Sequence, residues 1–186
     1  PSPSTTLKES IVLKLIAIAV VIAIVGVLLF ATTRPDELRV QRTLRIQAPP
    51  ERIHAQIADF HRWQDWSPYE KLDPGMTRSI GGAPQGVAAT YGWSGEGKAG
   101  AGRMEITGSS PSHIAIALDF DRPFQSHGNV AEFTLAPHGN ATDVTWSMRG
   151  PQPYMAKVMG LFFNTDRMVG GDFEQGLGNL KRIAEG

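Results

Sequence analysis

The sequence predicts an α+β protein, a curved antiparallel sheet of about six or seven strands wrapped on a long C-terminal helix and preceded by one transmembrane helix. Three observations predict it. Ile11 to Phe30 reads IVLKLIAIAVVIAIVGVLLF, in which only Lys14 and Gly26 are not hydrophobic. Over Leu38 to Ala48, and again in the stretches from Thr77 to Met148, apolar residues recur at a period of two between turn signals. After Pro151 and Pro153 the period turns helical.

The chain has 186 residues, 41% hydrophobic and 19% charged, with 18 Lys+Arg against 18 Asp+Glu and no Cys. Behind the apolar block lie about 155 residues, enough for one domain with a core and too few for two. The lack of Cys excludes disulfide scaffolds, thiolate metal sites and cysteine nucleophiles. Zero net charge argues against a general nucleic-acid binder.

About 20 helical residues cover about 30 Å, the thickness of a bilayer's hydrocarbon core. Lys14 lies one turn inside the boundary, from which its stem reaches the headgroups. A soluble core helix would rarely be apolar on every face for so many turns. A cleavable signal peptide is the competing reading, but Phe30-Ala31-Thr32-Thr33-Arg34-Pro35 offers no clean small-x-small cleavage site. The expectation is an uncleaved single-pass anchor: a polar tail over 1–10, the span over 11–31, a linker over 32–37 and a folded domain over 38–186. Lys8 and Lys14 flank the N-terminal side of the span and Arg34, Arg39, Arg42 and Arg45 follow it, a count that by itself would place the domain in the cytoplasm. Those arginines mix with Asp36 and Glu37 and partly belong to a strand. The short tail is therefore expected inside and the domain outside the cytoplasm.

Leu38, Val40, Leu44, Ile46 and Ala48 alternate with Arg39, Gln41, Thr43, Arg45 and Gln47, a half-buried strand. Pro49-Pro50-Glu51 opens a helix whose inner stripe is Ile53, Ile57 and Phe60. Ser67-Pro68-Tyr69-Glu70 has capping-box spacing and predicts a second short helix, ended by Asp73-Pro74-Gly75. Strands follow at Val87–Trp93, Met104–Ile106, Ile114–Phe120, Ala131–Leu135 and Val144–Met148, with a further one through Thr77 to Ile80. Met155, Met159 and Phe162 share a face of a short helix. Val169, Phe173, Leu177 and Leu180 then run at helical spacing, capped by Thr165 or Asp166 and weakened or bent at Gly170-Gly171. The last helix is the long element left to cover the sheet's apolar face.

Two phosphate-loop patterns are rejected. Gly95-Glu96-Gly97-Lys98-Ala99-Gly100 matches a dinucleotide fingerprint, and Gly92 to Lys98 matches a P-loop up to Ala99. Both motifs need a following helix to receive phosphate, and a strand follows here. His54 and His61 lie about 10 Å apart along a helix, too far to share a metal, and His113, His127 and His138 sit at strand ends or turns. No metal or cofactor is expected. Asp119 and Asp121 are about 6.6 Å apart on one strand face, the face opposite Leu118 and Phe120. The same parity puts Glu105, Glu132 and Asp143 outside, opposite Met104, Phe133 and Val144. No catalytic residue is assigned.

The positive signal is aromatic and Met content. Tyr91, Trp93, Met104, Phe120, Phe133 and Trp146 fall on the apolar parity of strands, and Met159, Phe162 and Phe173 on apolar helix faces. With Trp63 and Trp66, placed to gate or to plug a mouth, they form the expected ligand-binding set.

The element order, Trp63-Gln64-Asp65-Trp66-Ser67-Pro68-Tyr69-Glu70, Gly102-Arg103-Met104-Glu105-Ile106 and Gly176-Leu177-Gly178-Asn179-Leu180-Lys181 resemble the polyketide cyclase/dehydrase-type branch of the START-like (SRPBCC) superfamily over about residues 38 to 185. The resemblance implies the helix-grip fold and a hydrophobic cavity between sheet and C-terminal helix. The expected function is membrane-anchored binding of a lipid or other hydrophobic small molecule, with no nucleic acid. The alternatives are a cyclase/dehydrase-like enzyme, which needs an ionisable group inside the cavity, and a pocketless interaction or sensory module.

Overall fold

The computed structural model describes residues 3–123 and 125–186, with residues 3–10 as backbone only. Residues 1 and 2 of the expected N-terminal tail lie outside the described residues. The chain forms two units. One holds the chain up to Asp36 together with Gln152–Asn164, the other Glu37–Pro151 with Thr165–Gly186.

In the first unit, α1 (Pro3–Thr32) is a single helix that takes up the expected tail from Pro3 onward. Its stretch Ile11–Thr32 is long and apolar enough to cross a membrane. The Thr32 and Thr33 hydroxyls donate to the carbonyls of Leu29 and Phe30, closing the helix end. The chain returns to this unit at Gln152, whose N–H donates to the Asp36 carbonyl at 2.7 Å. A short helix, α4 (Tyr154–Met159), then starts after Pro153. The Tyr154 hydroxyl donates to the Leu28 carbonyl at 2.9 Å. The Lys157 ammonium, its side chain 9% exposed, pairs with Asp36.

The second unit is a seven-stranded antiparallel sheet with helices on one face. The strands are β1 (Glu37–Ile46), β2 (Thr77–Gly82), β3 (Ala89–Ser94), β4 (Ala101–Ser110), β5 (His113–Arg122), β6 (Ser126–His138) and β7 (Ala141–Pro151), in the order β1-β7-β6-β5-β4-β3-β2. Strands β2 to β7 run up and down, and β7 then pairs with β1 from Glu37↔Pro151 to Ile46↔Thr142. The strand expected through Thr77 to Ile80 is the edge strand β2. Between β1 and β2 the chain forms α2 (Pro50–Ile57) and α3 (Trp63–Trp66). The glycine-rich loop after β3 is a hairpin turn, closed by the Gly95 N–H on the Gly100 carbonyl, and leads into β4.

The last helix, α5 (Thr165–Glu185), buries Phe173, Leu177, Leu180 and Ala184 and lies along β1. It is unbroken at Gly170-Gly171, where a weakening or bend was expected. Gly170 instead makes room for Arg42: a Cβ there would meet the guanidinium Nη2 at 2.0 Å. Arg42 occupies an inward position of β1, between Val40 and Leu44. Its guanidinium binds Asp166 at 3.0 Å and Glu174 at 2.8 Å, tying α5 to the strand.

Strand parity follows the alternation. Phe133 and Trp146 are buried and Glu105 is exposed. Glu132 and Asp143 face outward yet are half-buried, because Arg149 and His113 lie across the first and Arg45 and His138 across the second. The capping box at Ser67 does not form. Ser67 makes no side-chain cap, Pro68–Lys71 is a single 3₁₀ turn, and Glu70 turns inward.

Candidate functional site

Burial changes along the inner face of the sheet. At one end, Ile46, Ile106, Ile114, Ile116, Leu135 and Val144 are wholly covered. Ile53 and Ile57 of α2 close this end. Toward the other end, where Glu37 meets Pro151, the inward residues Leu38, Trp93, Met104, Phe120 and Met148 are only half-buried. The inner face is thus closed at one end and open at the other.

Between the two ends stands an aromatic wall. Phe133 stacks on Trp146 at 4.9 Å, and Trp146 on Phe173 of α5 at 4.2 Å and 8°. Trp66 meets Trp146 edge-on at 5.6 Å, and Trp63 packs on Trp66 at 4.9 Å. The helix comes this close because position 176 is glycine: a Cβ there would lie 2.6 Å from Trp146 Cζ3 and 3.1 Å from Pro68 Cδ. Six of the expected ligand-binding residues, Trp63, Trp66, Tyr91, Phe133, Trp146 and Phe173, are therefore buried in this core. Trp63 and Trp66 are also pinned, their indole N–H groups donating to the carbonyls of Ile57 and Gln56. Both are thus fixed at ring and N–H.

Trp93, Met104 and Phe120 come together at the open end. Trp93 lies over Gly102, where a Cβ would meet Cη2 at 2.5 Å, and Phe120 packs on it edge-on at 5.9 Å. Register shifts at Ala101/Gly102 and between Leu118 and Phe120 curve the strands here. The Trp93 N–H is taken by the Ala99 carbonyl at 3.0 Å, so its exposed part is apolar. Met159 and Phe162 belong to the first unit and are 40% and 70% exposed.

Sequence reasoning missed three polar groups. The Trp146 N–H is buried and has no hydrogen-bond partner among the described residues. Its ring turns Cζ3 and Cη2 toward Gly176, so Nε1, on the opposite edge, faces away from that contact. Tyr69 packs edge-on against Trp146 at 6.3 Å. Burial, and then the charge of Asp172, push its hydroxyl well above the ordinary tyrosine value. Asp172 lies one residue before Phe173 on α5, and burial raises its carboxyl above the ordinary aspartate value, opposed by the Lys98 charge. Val169, Asp172, Phe173, Gly176, Leu177 and Leu180 form one stripe at spacings of three and four. Completing that stripe would have placed Asp172 on the inner face.

Glu70 is buried but fully engaged. The Tyr91 hydroxyl donates to Oε1 at 2.5 Å and Arg78 Nε donates to Oε2 at 2.5 Å. Burial, and then the bond to Glu70, push the Tyr91 hydroxyl above its ordinary value. This triad fixes the 3₁₀ turn to β2 and β3 and leaves the Tyr91 hydroxyl occupied.

A separate groove of about 590 Å3 lies on the outward face of β2 to β5, among Ser79, Thr90, Gly92, Arg103, Glu105 and Asp119. It is open and of mixed lining, and it lies on the face opposite the apolar cavity expected between sheet and helix. The Gly128 N–H, and then Arg103, hold the Asp119 carboxyl below the ordinary range. Asp121 is exposed.

A family described as "Polyketide cyclase / dehydrase and lipid transport" matches residues 37–185. No curated protein matches the chain. Among solved structures, a protein of Chromobacterium violaceum is 17% identical with a TM-score of 0.55, covering 82% of this chain and 99% of its own. A protein of Thermobifida fusca is 17% identical with a TM-score of 0.57, covering 78% and 92%. The Aha1 dimer from Colwellia psychrerythraea is 18% identical with a TM-score of 0.55, covering 80% and 96%. At these identities the structures speak for the shared helix-grip fold alone. With the family model spanning every strand and the last helix, the chain belongs to the polyketide cyclase/dehydrase and lipid transport family.

Proposed function

We propose that residues 38–186 form a binding domain for one hydrophobic small molecule, a lipid or a compound of similar character, held at the open end of the sheet. Residues 11–31 anchor the chain in a membrane, and 32–37 link the two. The observation that carries the reading is the burial gradient. The inner face is packed dry at one end and leaves Trp93, Met104 and Phe120 half-covered at the other, and in the aromatic wall between them the Trp146 N–H is buried with no partner among the described residues. Orphaned buried donors cost roughly 1–3 kcal/mol, and a ligand oxygen is one way to relieve that cost. Tyr69 adds a hydroxyl near the same ring, and Asp172 a carboxyl whose charge bears on that hydroxyl. The ligand class is thus an apolar body with at least one hydrogen-bonding group. Covering about 300 Å2 of apolar ligand surface would contribute roughly 7 kcal/mol before the cost of immobilisation.

The family description, which joins cyclase chemistry to lipid transport, supports the apolar ligand class. We place the domain on the non-cytoplasmic side. Arg42 and Arg45 are held in ion pairs with Asp166, Glu174 and Asp143, and so weigh little as a cytoplasmic charge signal. The chain has no Cys, so Gly139→Cys in the β6–β7 turn should label with an impermeant maleimide in intact cells. Labelling only after lysis would reverse the orientation.

The second reading is an enzyme, favoured by the raised carboxyl of Asp172 beside Tyr69, a pair suited to moving a proton at a carbonyl compound. Extraction of the full chain purified in mild detergent, followed by mass spectrometry, tests both. The expected result is one hydrophobic compound at near one equivalent, lost on Met104→Trp, which fills the open end. Identical extracts from both proteins would assign the lipid to the anchor and favour a pocketless module. A compound found chemically altered by wild type and unaltered by Asp172→Asn would establish the enzyme.

A further inference from the structure

We propose that the segment Tyr154–Phe163 lies in the interfacial layer of the bilayer that α1 crosses, as a second, non-spanning membrane contact. The inference rests on α1 being a membrane span. The segment reads YMAKVMGLFF, and Lys157 is its single charge. Tyr154 is 42% exposed, Met155 67%, Met159 40%, Phe162 70% and Phe163 58%. Met155 and Met159, four apart, share a helix face, and Lys157, two residues from each, points the other way into its pair with Asp36. The charge is thus turned inward and the apolar groups outward, the reverse of a helix that faces water. The turn after α4, held by the Phe162 and Phe163 N–H groups on the Met159 carbonyl, presents two adjacent phenyl rings.

Exposed apolar patches of this kind mark a partner surface, and here the partner is identified by depth. The Tyr154 hydroxyl binds the Leu28 carbonyl, four residues before the end of the stretch Ile11–Thr32. That is about 6 Å inside the apolar end of the span. A group fixed at that level on a membrane helix meets the headgroup–acyl boundary, where amphipathic Tyr is favoured and apolar faces enter about 5–10 Å. Met155, Met159, Phe162 and Phe163 are carried by the same ten residues. The sequence periodicity had assigned Met159 and Phe162 to a ligand. A bilayer surface satisfies the same apolar signal without requiring them to face the sheet.

The test uses the full chain in vesicles of phosphatidylcholine and phosphatidylglycerol, with a nitroxide on a single introduced cysteine. Three variants suffice: Phe162→Cys, Ile18→Cys in the middle of the span, and Gly139→Cys in the β6–β7 turn. Power-saturation measurements compare collisions with oxygen, which concentrates in lipid, against a water-soluble nickel chelate. Position 162 should favour oxygen, with nickel collisions severalfold below those at position 139, while position 18 reads as deep hydrocarbon. Nickel access at 162 equal to that at 139, with 18 still deep, overturns the interfacial contact and leaves the anchor intact. Nickel access at 18 itself overturns the anchor and this proposal with it. Phe162→Cys is exposed, so loss of the fold is not expected, and far-ultraviolet circular dichroism checks that it is intact.

Discussion

Asp172 shows how one side chain can be costly to the fold and still be informative. Burial raises its carboxyl above the usual value of 3.8, so ionisation is harder in the native state than in the unfolded chain. The favourable contribution of the protonated form is complete below 3.8 and is lost as pH rises through the higher native value. Asp172→Asn should therefore melt at a higher temperature than wild type at pH 7, and the gap should narrow as pH falls toward 3.8. An equal gap at both pH values would mean that charge is not the cause. Carboxylates on the outer face behave oppositely. Arg45 holds Asp143 below its usual value, so its contribution persists down to about 3.8 and fades only at lower pH. Parity in the strands was enough to place Asp143 and Glu105. Asp172 was hidden because a polar residue inside an apolar helical stripe breaks the pattern used to find the stripe.

At the level of elements, α5 offers a comparison within one helix. Gly178 has no atom within 4 Å of an added Cβ, whereas at Gly176 that Cβ would strike Trp146 at 2.6 Å. Gly178→Ala should stabilise by roughly 0.5–1 kcal/mol through helix propensity. Gly176→Ala should destabilise by about 1–3 kcal/mol through overpacking. Urea unfolding with an unchanged slope reads both, and equal signs would refute the close approach of helix to sheet. Gly170→Ala should displace the Arg42 guanidinium from Asp166 and Glu174, and its loss of stability should shrink in high salt. The strands and the last helix were legible because their apolar periods are long. The extent of β4 was not, since Gly102, Thr107, Gly108 and Ser109 carry no hydrophobic alternation. The turn at Ser67–Glu70 misled because a capping box and a buried acid share one residue pattern. Only Tyr91 and Arg78, distant in sequence, decide between them.

Across the whole molecule, the most instructive departure concerns Gln152–Asn164, which groups with the chain before Asp36. Periodicity tells that a face avoids water; it does not tell whether protein, ligand or lipid covers that face. Asp36 is the polar hinge of this grouping, accepting from both the Gln152 N–H and Lys157. Asp36→Ala leaves the Lys157 ammonium buried and unpaired. It should raise amide hydrogen exchange across 154–163 while leaving exchange in β6 and β7 unchanged, and uniform exchange in both would show that the pair does not hold the segment.

The strand order carries a consequence for how the chain is made. β1, first to leave the ribosome, pairs with β7 alone, Glu37 opposite Pro151, while β2 ends the opposite edge of the sheet. At about 5–20 residues per second, on the order of ten seconds pass before that neighbour exists. Throughout that interval an amphipathic strand waits with unpaired amides, and the meander from β2 to β6 has α2 and α3 but not α5 to cover it. Such a topology has high contact order and folds slowly, so completion waits on the emergence of β7 and α5 rather than on that of β1. A chain halted before Thr165 would lack Phe173 and leave the α5-facing side of Trp146 bare, a form that quality control is built to recognise.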